Sequence, residues 1–530
     1  MSARLKATLA AATLALLSGL GLAALGGERA AGAPGKPNVL LITTDDQTAA
    51  SIAAMRRLNS VLVGRGTTFS NMITSFPLCC PSRASWITGQ YAHNHGVLDN
   101  TARNGGGYQS LRDPAKVLPV WLDFAGYDTA MIGKWLHDYR PLTRPPGWDL
   151  FNALVPPTVT RYYGNEVTDS KGGKVTLGTE DRDYLTDALA RRYAIPYIYG
   201  HANDPDPFFL HLSFTAPHWG RGRNDDAGRR CANGKPFSFE TARAKPAPRH
   251  ARRFAKARLP KPPSFDEADL SDKPAGVRGR KRLRPKVEAG LRRRYRCELA
   301  SMLAVDEAVK QVDDALRATG LAEETYVIFT SDNGYMHGEH RIRAEKVQPY
   351  EEALRVPFVI RGPGIPAGAR VADPVANVDL APTIMEIADA SQPLTLRRGI
   401  DGISLIPYLA GYRHPDRAIL IEAKRPPRRD ASGRVVAPSF IGVRTRRYVY
   451  VEHYREVAAS LEQGFGLPIG VGAVTDRELY DLDLDPYQLE SRHRAPVYGQ
   501  AKAVLATALA GLRSCAAENC LLDLPVPPPG

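Results

Sequence analysis

Beyond residue 33 the chain has no apolar run long enough to span a bilayer, so helical membrane architectures are excluded for the bulk of the protein. Cysteine is scarce, with six among 530 residues; that is too few to build a fold from disulfides, though it fits an oxidising compartment. Acidic residues fall short of basic ones, 56 against 70, which leaves a net charge of +14 and a pI near 9.4. Anionic partners are therefore favoured over neutral ones. The basic runs, such as Arg249-His250-Ala251-Arg252-Arg253 and Arg278-Gly279-Arg280-Lys281-Arg282, have no aromatics interleaved with them. Specific nucleic-acid binding, which needs side chains for bases to stack on, is thereby disfavoured, and a solvated basic insertion is the plainer account. No internal repeat is visible.

What is present is ordinary for a soluble globular chain: 43% hydrophobic and 24% charged residues. The length exceeds what one core usually spans, so two domains are expected. The N-terminus carries Arg4 and Lys6, an uncharged apolar stretch from Ala7 to Leu25, then small residues to Ala33. That is the layout of a secretory signal over residues 1–33, cleaved after Gly26 or nearer Ala33; a membrane anchor is the rival. No Cys follows the stretch, which disfavours a lipoprotein. A secreted or cell-envelope protein, free of the membrane after cleavage, is the expectation. Cys515 and Cys520 are candidates for a local staple, and Cys231 and Cys297 for closing the insertion.

Several buried-strand patterns end in ionisable residues. Val39-Leu40-Leu41-Ile42 runs into Asp45-Asp46, Thr129-Ala130-Met131-Ile132 into Lys134, Phe208 to Leu212 into His218, and Tyr326-Val327-Ile328-Phe329 into Asp332-Asn333. Continuous apolar strands mark a sheet covered by helices on both faces, and such sheets bind ligands beyond the carboxyl ends of their strands. We therefore expect a large doubly wound α/β domain over 34–410, with a basic insertion at about 219–296. Met302, Val305, Val309, Val312 and Leu316 predict an amphipathic scaffold helix, capped near Gly320, on which Asp306 and Glu307 are structural. Ala418 to Ile421, Phe440 to Val443 and Tyr448 to Val451 predict a small antiparallel sheet, and Ala501 to Leu512 a closing helix, in an α+β domain over 411–530.

Asp45, Asp46, Asp332 and Asn333 offer only oxygen ligands, which suits calcium, or less well magnesium, rather than zinc; helix capping and turns are the alternative use of such pairs. Cys79 and Cys80 have no C-x-x-C or neighbouring His partner, so a zinc site does not account for them. Cys79 stands before a predicted helix, with Pro81 suited to its first turn and Gly89 to its end. A helix start with Arg83 nearby suits a sulfate or phosphate group.

The run Cys79-Cys80-Pro81-Ser82-Arg83 with Thr88-Gly89 resembles the C-x-P-S-R and T-G signature of type I sulfatases in the alkaline-phosphatase superfamily. The resemblance runs from about Asn38 to Leu489 through Gly133-Lys134, Ala216-Pro217-His218, Ser331-Asp332-Asn333-Gly334, Lys346, Arg355-Val356-Pro357 and Glu478-Leu479-Tyr480-Asp481-Leu482. It implies that a formylglycine-generating enzyme converts Cys79 to formylglycine, whose hydrate attacks sulfur and then expels sulfate. It also implies that Asp45, Asp46, Asp332, Asn333 and the oxygen at position 79 hold the calcium. Arg83, Lys134 and Lys346 would balance the anion, and His218 with Lys346 would protonate the leaving alcohol. His137 would assist sulfate release, although it follows Lys134 by three residues where many sulfatases have two. His93 and His95 would line the pocket, or serve local turn hydrogen bonds. The segments around Leu78, His93-Asn94-His95 and Ser264 to Asp269 look most like N-acetylglucosamine-6-sulfatases, which implies a sulfated glycan or small-molecule substrate. Rivals are hydrolysis of phosphate mono- or diesters or phosphonates by the same superfamily, and non-catalytic polyanion binding with Cys79 unconverted.

Overall fold

In a computed structural model of the chain, the four predicted strands form the middle of one eight-stranded mixed sheet. Residues 35–529 are described, apart from 140–143, 221–242, 391–398, 426–427, 430–434, 459–468 and 471. The predicted signal and the proposed Cys231–Cys297 pairing thus lie at least partly outside the described residues. Across the sheet the order is Ala369–Val371, Thr67–Phe69, Phe358–Arg361, Thr325–Ser331, Asn38–Asp45, Phe208–Pro217, Asp128–Gly133 and Leu150–Ala153. Phe358–Arg361 runs antiparallel to both neighbours, and the other pairings are parallel.

Every residue of Asn38–Asp45 is buried, as a strand covered on both faces must be. Its side chains alternate between two cores. Leu40 and Ile42 pack with Leu210, Leu212 and Phe329 against the helix Pro285–Ala318, through Met302, Val305, Val309, Val312 and Leu316. Val39 and Leu41 face Trp86, Trp121, Leu380 and Ile384 on three helices of the opposite layer. The apolar spacing that predicts the first helix therefore identifies its buried stripe, but the helix begins earlier than that stripe, at Pro285. The end of the predicted basic insertion belongs to this scaffold. Gly320 adopts φ 77° just past the helix, Asp306 accepts from Leu58 N at 2.8 Å, and Glu307 pairs with Arg249 at 2.7 Å. Arg249 also takes Asp187 at 2.6 Å, so part of the basic character is spent on local ion pairs.

Beyond residue 410 a five-stranded sheet includes the antiparallel series Ile419–Lys424, Val435–Arg444, Tyr448–Ala458 and Val474–Asp481, with the helix Gly499–Leu512 packed on it. Its apolar face shares one core with Ile73, Phe76, Tyr350, Ala353 and Leu354. The small sheet thus packs on segments that precede and follow strands of the large domain, and Lys36–Gly530 forms one compact unit. Cys515 and Cys520 are disulfide-bonded. Among the described residues no helix is long and apolar enough to cross a membrane.

A buried ion pair ties the helix Leu380–Ile387 to the start of the small sheet. Arg417 donates to both oxygens of Asp379, at 2.6 and 2.7 Å, and the same carboxylate receives Ala376 N at 2.7 Å and Ile403 N at 3.0 Å. The two side chains are 2% and 0% exposed, so removing one partner leaves a charge stranded in a medium that solvates it poorly. Arg417→Leu is expected to lower unfolding stability by about 3–5 kcal/mol, read from denaturant titration; a loss below about 1 kcal/mol would show that this pair does not hold the two layers together.

Candidate active site

Strand register brings the candidate residues together. Thr43 is level with Ser213 and with Thr330, Gly133 is level with Ser213, and Asp45 is level with Pro217. Four strands therefore finish side by side, and Asp45-Asp46, Lys134, His218 and Asp332-Asn333 emerge at one edge. Two close backbone approaches permit this. A Cβ at Gly133, where φ is +108°, would sit 1.9 Å from Ser213 O, and one at Gly334 would sit 2.1 Å from Glu352 O. Only glycine fits either position.

Cys79 opens the helix Cys79–Thr88, which ends at Gly89 with φ 68°, as the positions of Pro81 and Gly89 predict. Its Sγ donates to Asp45 Oδ1 at 3.3 Å and accepts from Lys346 Nζ at 2.7 Å. Arg83, one turn on, donates through Nε to Asp332 Oδ2 at 2.9 Å and through Nη1 to Lys134 O at 2.7 Å and Ser213 Oγ at 2.8 Å. Its Nη2 has no hydrogen-bond partner. Lys134 pairs with Asp45, and Lys346 with Asp46. Three carboxylates and three cations thus balance one another inside a buried cluster.

The electrostatic consequences follow from that packing. Burial alone would raise Asp45, but Lys134, His218, Lys346 and Arg83 outweigh it and hold the carboxyl well below its usual range. Burial and the neighbouring Asp45 charge push Asp332 up to about 6. Burial, with Asp45 adding to it, pushes the Cys79 thiol up to about 12. An unmodified thiol here is therefore a protonated, poor nucleophile at neutral pH.

The donor set fits a hard divalent cation. Ligand atoms of Asp45, Asp46, Cys79 and Asp332 lie within 4.8 Å of one another. Asn333 Nδ2 donates to Asp46 Oδ1 at 2.7 Å and to Gly334 O at 2.8 Å, which leaves Oδ1 buried and without a partner. A buried acceptor beside carboxylates lacks only a positive partner, and the carboxylate and amide oxygens are the ligands calcium takes, with the Cys79 sulfur the one soft atom among them. Asp46, at φ 68°, turns back so that its N–H reaches Asp332 Oδ1 at 3.1 Å.

Two histidines border this cluster. His218 Nε2 is 3.8 Å from Asp46 Oδ2, and its Nδ1 lies 2.8 Å from Trp219 O, which marks Nδ1 as the protonated nitrogen. Burial lowers its pKa despite Asp45 and Asp46. His137 is pushed well down by burial and by the charge of Lys134, and its buried Nε2 has no partner. Burial thus biases both rings toward the neutral form.

His95 takes the local course, and His93 a structural role through partners distant in sequence. His95 Nε2 meets Ser85 Oγ at 3.1 Å and its Nδ1 accepts Val97 N at 3.1 Å, so it braces the signature helix. His93 packs between Glu422, at 3.2 Å, and Cys515 O, at 3.0 Å, while Asn94 Nδ2 also reaches Cys515 O, at 2.9 Å. The exit of the signature helix is thereby fastened to the disulfide loop at the far end of the chain. Sequence reasoning missed Ser213, which receives Arg83, and Asn377, whose Oδ1 accepts Ser75 N at 3.0 Å and whose Nδ2 reaches Ser82 Oγ at 3.1 Å. A polar residue inside an apolar strand was the available signal for Ser213; Asn377 carried none.

Comparison with known proteins adds two family matches: Sulfatase over residues 37–390, and N-sulphoglucosamine sulphohydrolase, C-terminal, over 338–462. An arylsulfatase of Volvox carteri is 33% identical over 94% of this chain and 78% of its own length. An N-acetylglucosamine-6-sulfatase of Homo sapiens is 30% identical over 71% of this chain and 65% of its own. Other relatives, named as extracellular sulfatases, are matched over less than half of their length. Among solved structures, a protein in complex with its substrate D-glucosamine-2-N,6-O-disulfate superposes with a TM-score of 0.65 at 22% identity, over 90% of this chain and 97% of that one. This likeness extends to the alkaline-phosphatase-like fold as a whole.

The fastening at His93 is pH-dependent. Burial would lower the imidazole, but Glu422 outweighs it and raises it to about 9 from an ordinary 6.5. A raised folded value means that the contribution is complete below about pH 6.5 and is lost as pH rises through about 9. The difference in Tm between the native protein and His93→Gln is expected to be largest below that window and to shrink above it; a difference independent of pH would assign His93 a packing role only.

Proposed function

The chain belongs to the sulfatase family, and from that premise we propose that it hydrolyses a sulfate monoester at Cys79. One observation carries the reading: Cys79 lies between Asp45 and Lys346, at 3.3 and 2.7 Å, inside a cluster of three carboxylates and three cations. That cluster is close to neutral by itself. A divalent ion held by Asp45, Asp46, Asp332, Asn333 and the oxygen at position 79, calcium before magnesium, supplies Lewis acidity toward a sulfate oxygen and toward the attacking hydroxyl. Formylglycine, made from Cys79 by a formylglycine-generating enzyme, supplies a hydrate with one hydroxyl to attack sulfur and another whose deprotonation releases sulfate.

The remaining roles belong to side chains already in place. Arg83, Lys134 and Lys346 offset the charge that builds on the sulfuryl oxygens, and Arg83 Nη2 is available to one of them. Lys346 holds its proton firmly, because Asp46, Cys79 and Asp45 outweigh the effect of burial. His218 becomes more basic when an anion lies beside it, so His218 and Lys346 together provide the proton for the departing alcohol. To His137, whose Nε2 has no hydrogen-bond partner, we assign the proton taken during sulfate release. A sulfated glycan or aryl sulfate is the substrate class, supported by the names of the relatives, and export through the N-terminal signal is supported by its charge and apolar pattern.

Mass spectrometry of the peptide containing residue 79 is expected to show the aldehyde in active protein; a wholly intact thiol at full activity would remove the proposed nucleophile. Aryl sulfate turnover is expected to exceed aryl phosphate turnover, and the reverse order would favour a phosphate or phosphonate ester as substrate. Lys346→Met is expected to lower kcat by about 10²–10⁴-fold. Chelation is expected to abolish activity, with calcium restoring it, and activity indifferent to both would remove the metal from the reading.

A further inference from the structure

His218 is held in the site by its main chain. Among the described residues its imidazole makes one hydrogen bond, with the carbonyl of its neighbour Trp219 at 2.8 Å, and it stacks on that residue's ring at 5.1 Å and 29°. Both contacts travel with the chain, and Asp46 Oδ2, at 3.8 Å, lies beyond hydrogen-bond reach. Where the ring stands relative to Cys79 is therefore inherited from the backbone just past the strand Phe208–Pro217. That backbone is pinned twice at His218: its N–H donates to Thr215 O at 3.0 Å, and its carbonyl accepts from Tyr162 Oη at 2.7 Å.

Tyr162 is itself firmly set. It is 1% exposed, its ring stacks on Tyr184 at 5.7 Å, and its carbonyl accepts from Leu185 N at 2.9 Å. Gly220, two residues past His218, leaves room for the ring: a Cβ there would meet Tyr162 Cδ2 at 2.7 Å. Burial, with the charge of Asp45 adding to it, raises the hydroxyl well above its ordinary range, so it keeps the proton it donates. Tyr184 makes a parallel contact elsewhere, its Oη donating to Lys245 O at 2.7 Å. The two phenols thus meet two different carbonyls, and only that of His218 belongs to a residue in the proposed reaction.

We propose that Tyr162 is a positioning residue for proton delivery: by fixing the His218 carbonyl it sets the distance between His218 Nε2 and the oxygen of the departing alcohol, which takes up the proton as its bond to sulfur breaks. The inference rests on the sulfatase reading, with His218 as proton donor, and deepens it by assigning what places that donor. Displacing an acid costs most where the leaving group needs its proton. A nitrophenolate departs as the anion, whereas a methoxyphenolate or a sugar alkoxide leaves far more readily once protonated. Tyr162 therefore matters most to esters of basic alcohols.

The test compares nitrophenyl sulfate with methoxyphenyl sulfate, esters of similar size, using the full chain and its Tyr162→Phe and Tyr184→Phe variants. Tyr162→Phe keeps the ring and removes the donor; it is expected to lower kcat about ten- to a hundredfold on the methoxyphenyl ester, with KM little changed, and to stay within about threefold on the nitrophenyl ester. Tyr184→Phe loses a buried hydroxyl of the same kind and is expected to treat the two esters alike. In a His218→Ala background, Tyr162→Phe is expected to add less than about twofold, since the group it places is gone. Equal losses on both esters, no loss on the methoxyphenyl ester, an undiminished further loss without His218, or the same ester dependence in Tyr184→Phe would overturn the proposal. If Tyr162→Phe does not fold, Gly220→Ala, which crowds the ring, is held to the same esters and the same outcomes. Should the native protein hydrolyse neither ester, the sulfatase reading falls, and the imidazole resonance of His218 in histidine-labelled protein decides the placement separately. A shift of that resonance in Tyr162→Phe but not in Tyr184→Phe supports it, and an unchanged resonance rejects it.

Discussion

Asp45, Asp46 and Asp332 are buried within a few ångströms of one another, and three like charges in so poor a solvent would force a rearrangement or protonation if nothing opposed them. Arg83, Lys134 and Lys346 provide that opposition, each from a different segment. Much of the surrounding architecture serves to deliver them: Gly133 lets Lys134 leave its strand against Ser213, the signature helix presents Arg83, and the loop beyond Asn333 returns Lys346. The three positive and three negative side chains leave the cluster itself close to neutral.

The placement of these residues was largely legible before the structure. Apolar runs such as Val39 to Ile42 that stop at Asp45-Asp46 announce buried strands with chemistry at their ends, and the carboxyl-end rule for parallel sheets gathers those ends at one edge. Register between distant strands was not legible. Nothing local says that Gly133 stands opposite Ser213 or that Ser213 will receive Arg83. The strand Val474–Asp481 also escaped, because only its second half is continuously buried. His93 and His95 are the pocket candidates of the sequence; the partners of His93, Glu422 and the carbonyl of Cys515, lie far along the chain, and Asn94 reaches the same carbonyl.

The small sheet illustrates a related limit. Composition and turn frequency mark a change of character near residue 400, but cannot tell a separate body from a second layer. Ile419, Leu420, Val449 and Leu479 share their core with Phe76, Tyr350 and Leu354, on both sides of the segment that carries Lys346. Lys273 and Glu267 extend the join: Lys273 lies 3.2 Å from Glu267 and over the Tyr480 ring, and Glu267 meets His340 at 2.6 Å. The position of Lys346 thus depends on packing contributed by residues well beyond 410.

Cys79 is fully enclosed, with no exposed surface. An enzyme that rewrites its side chain needs to grip the surrounding backbone, and the finished helix Cys79–Thr88, buried along its whole length, offers no such hold. Any enzyme that modifies position 79 would therefore have to act on the nascent chain, before these layers close. A change made there would be made once per molecule, and folding would then put it out of that enzyme's reach.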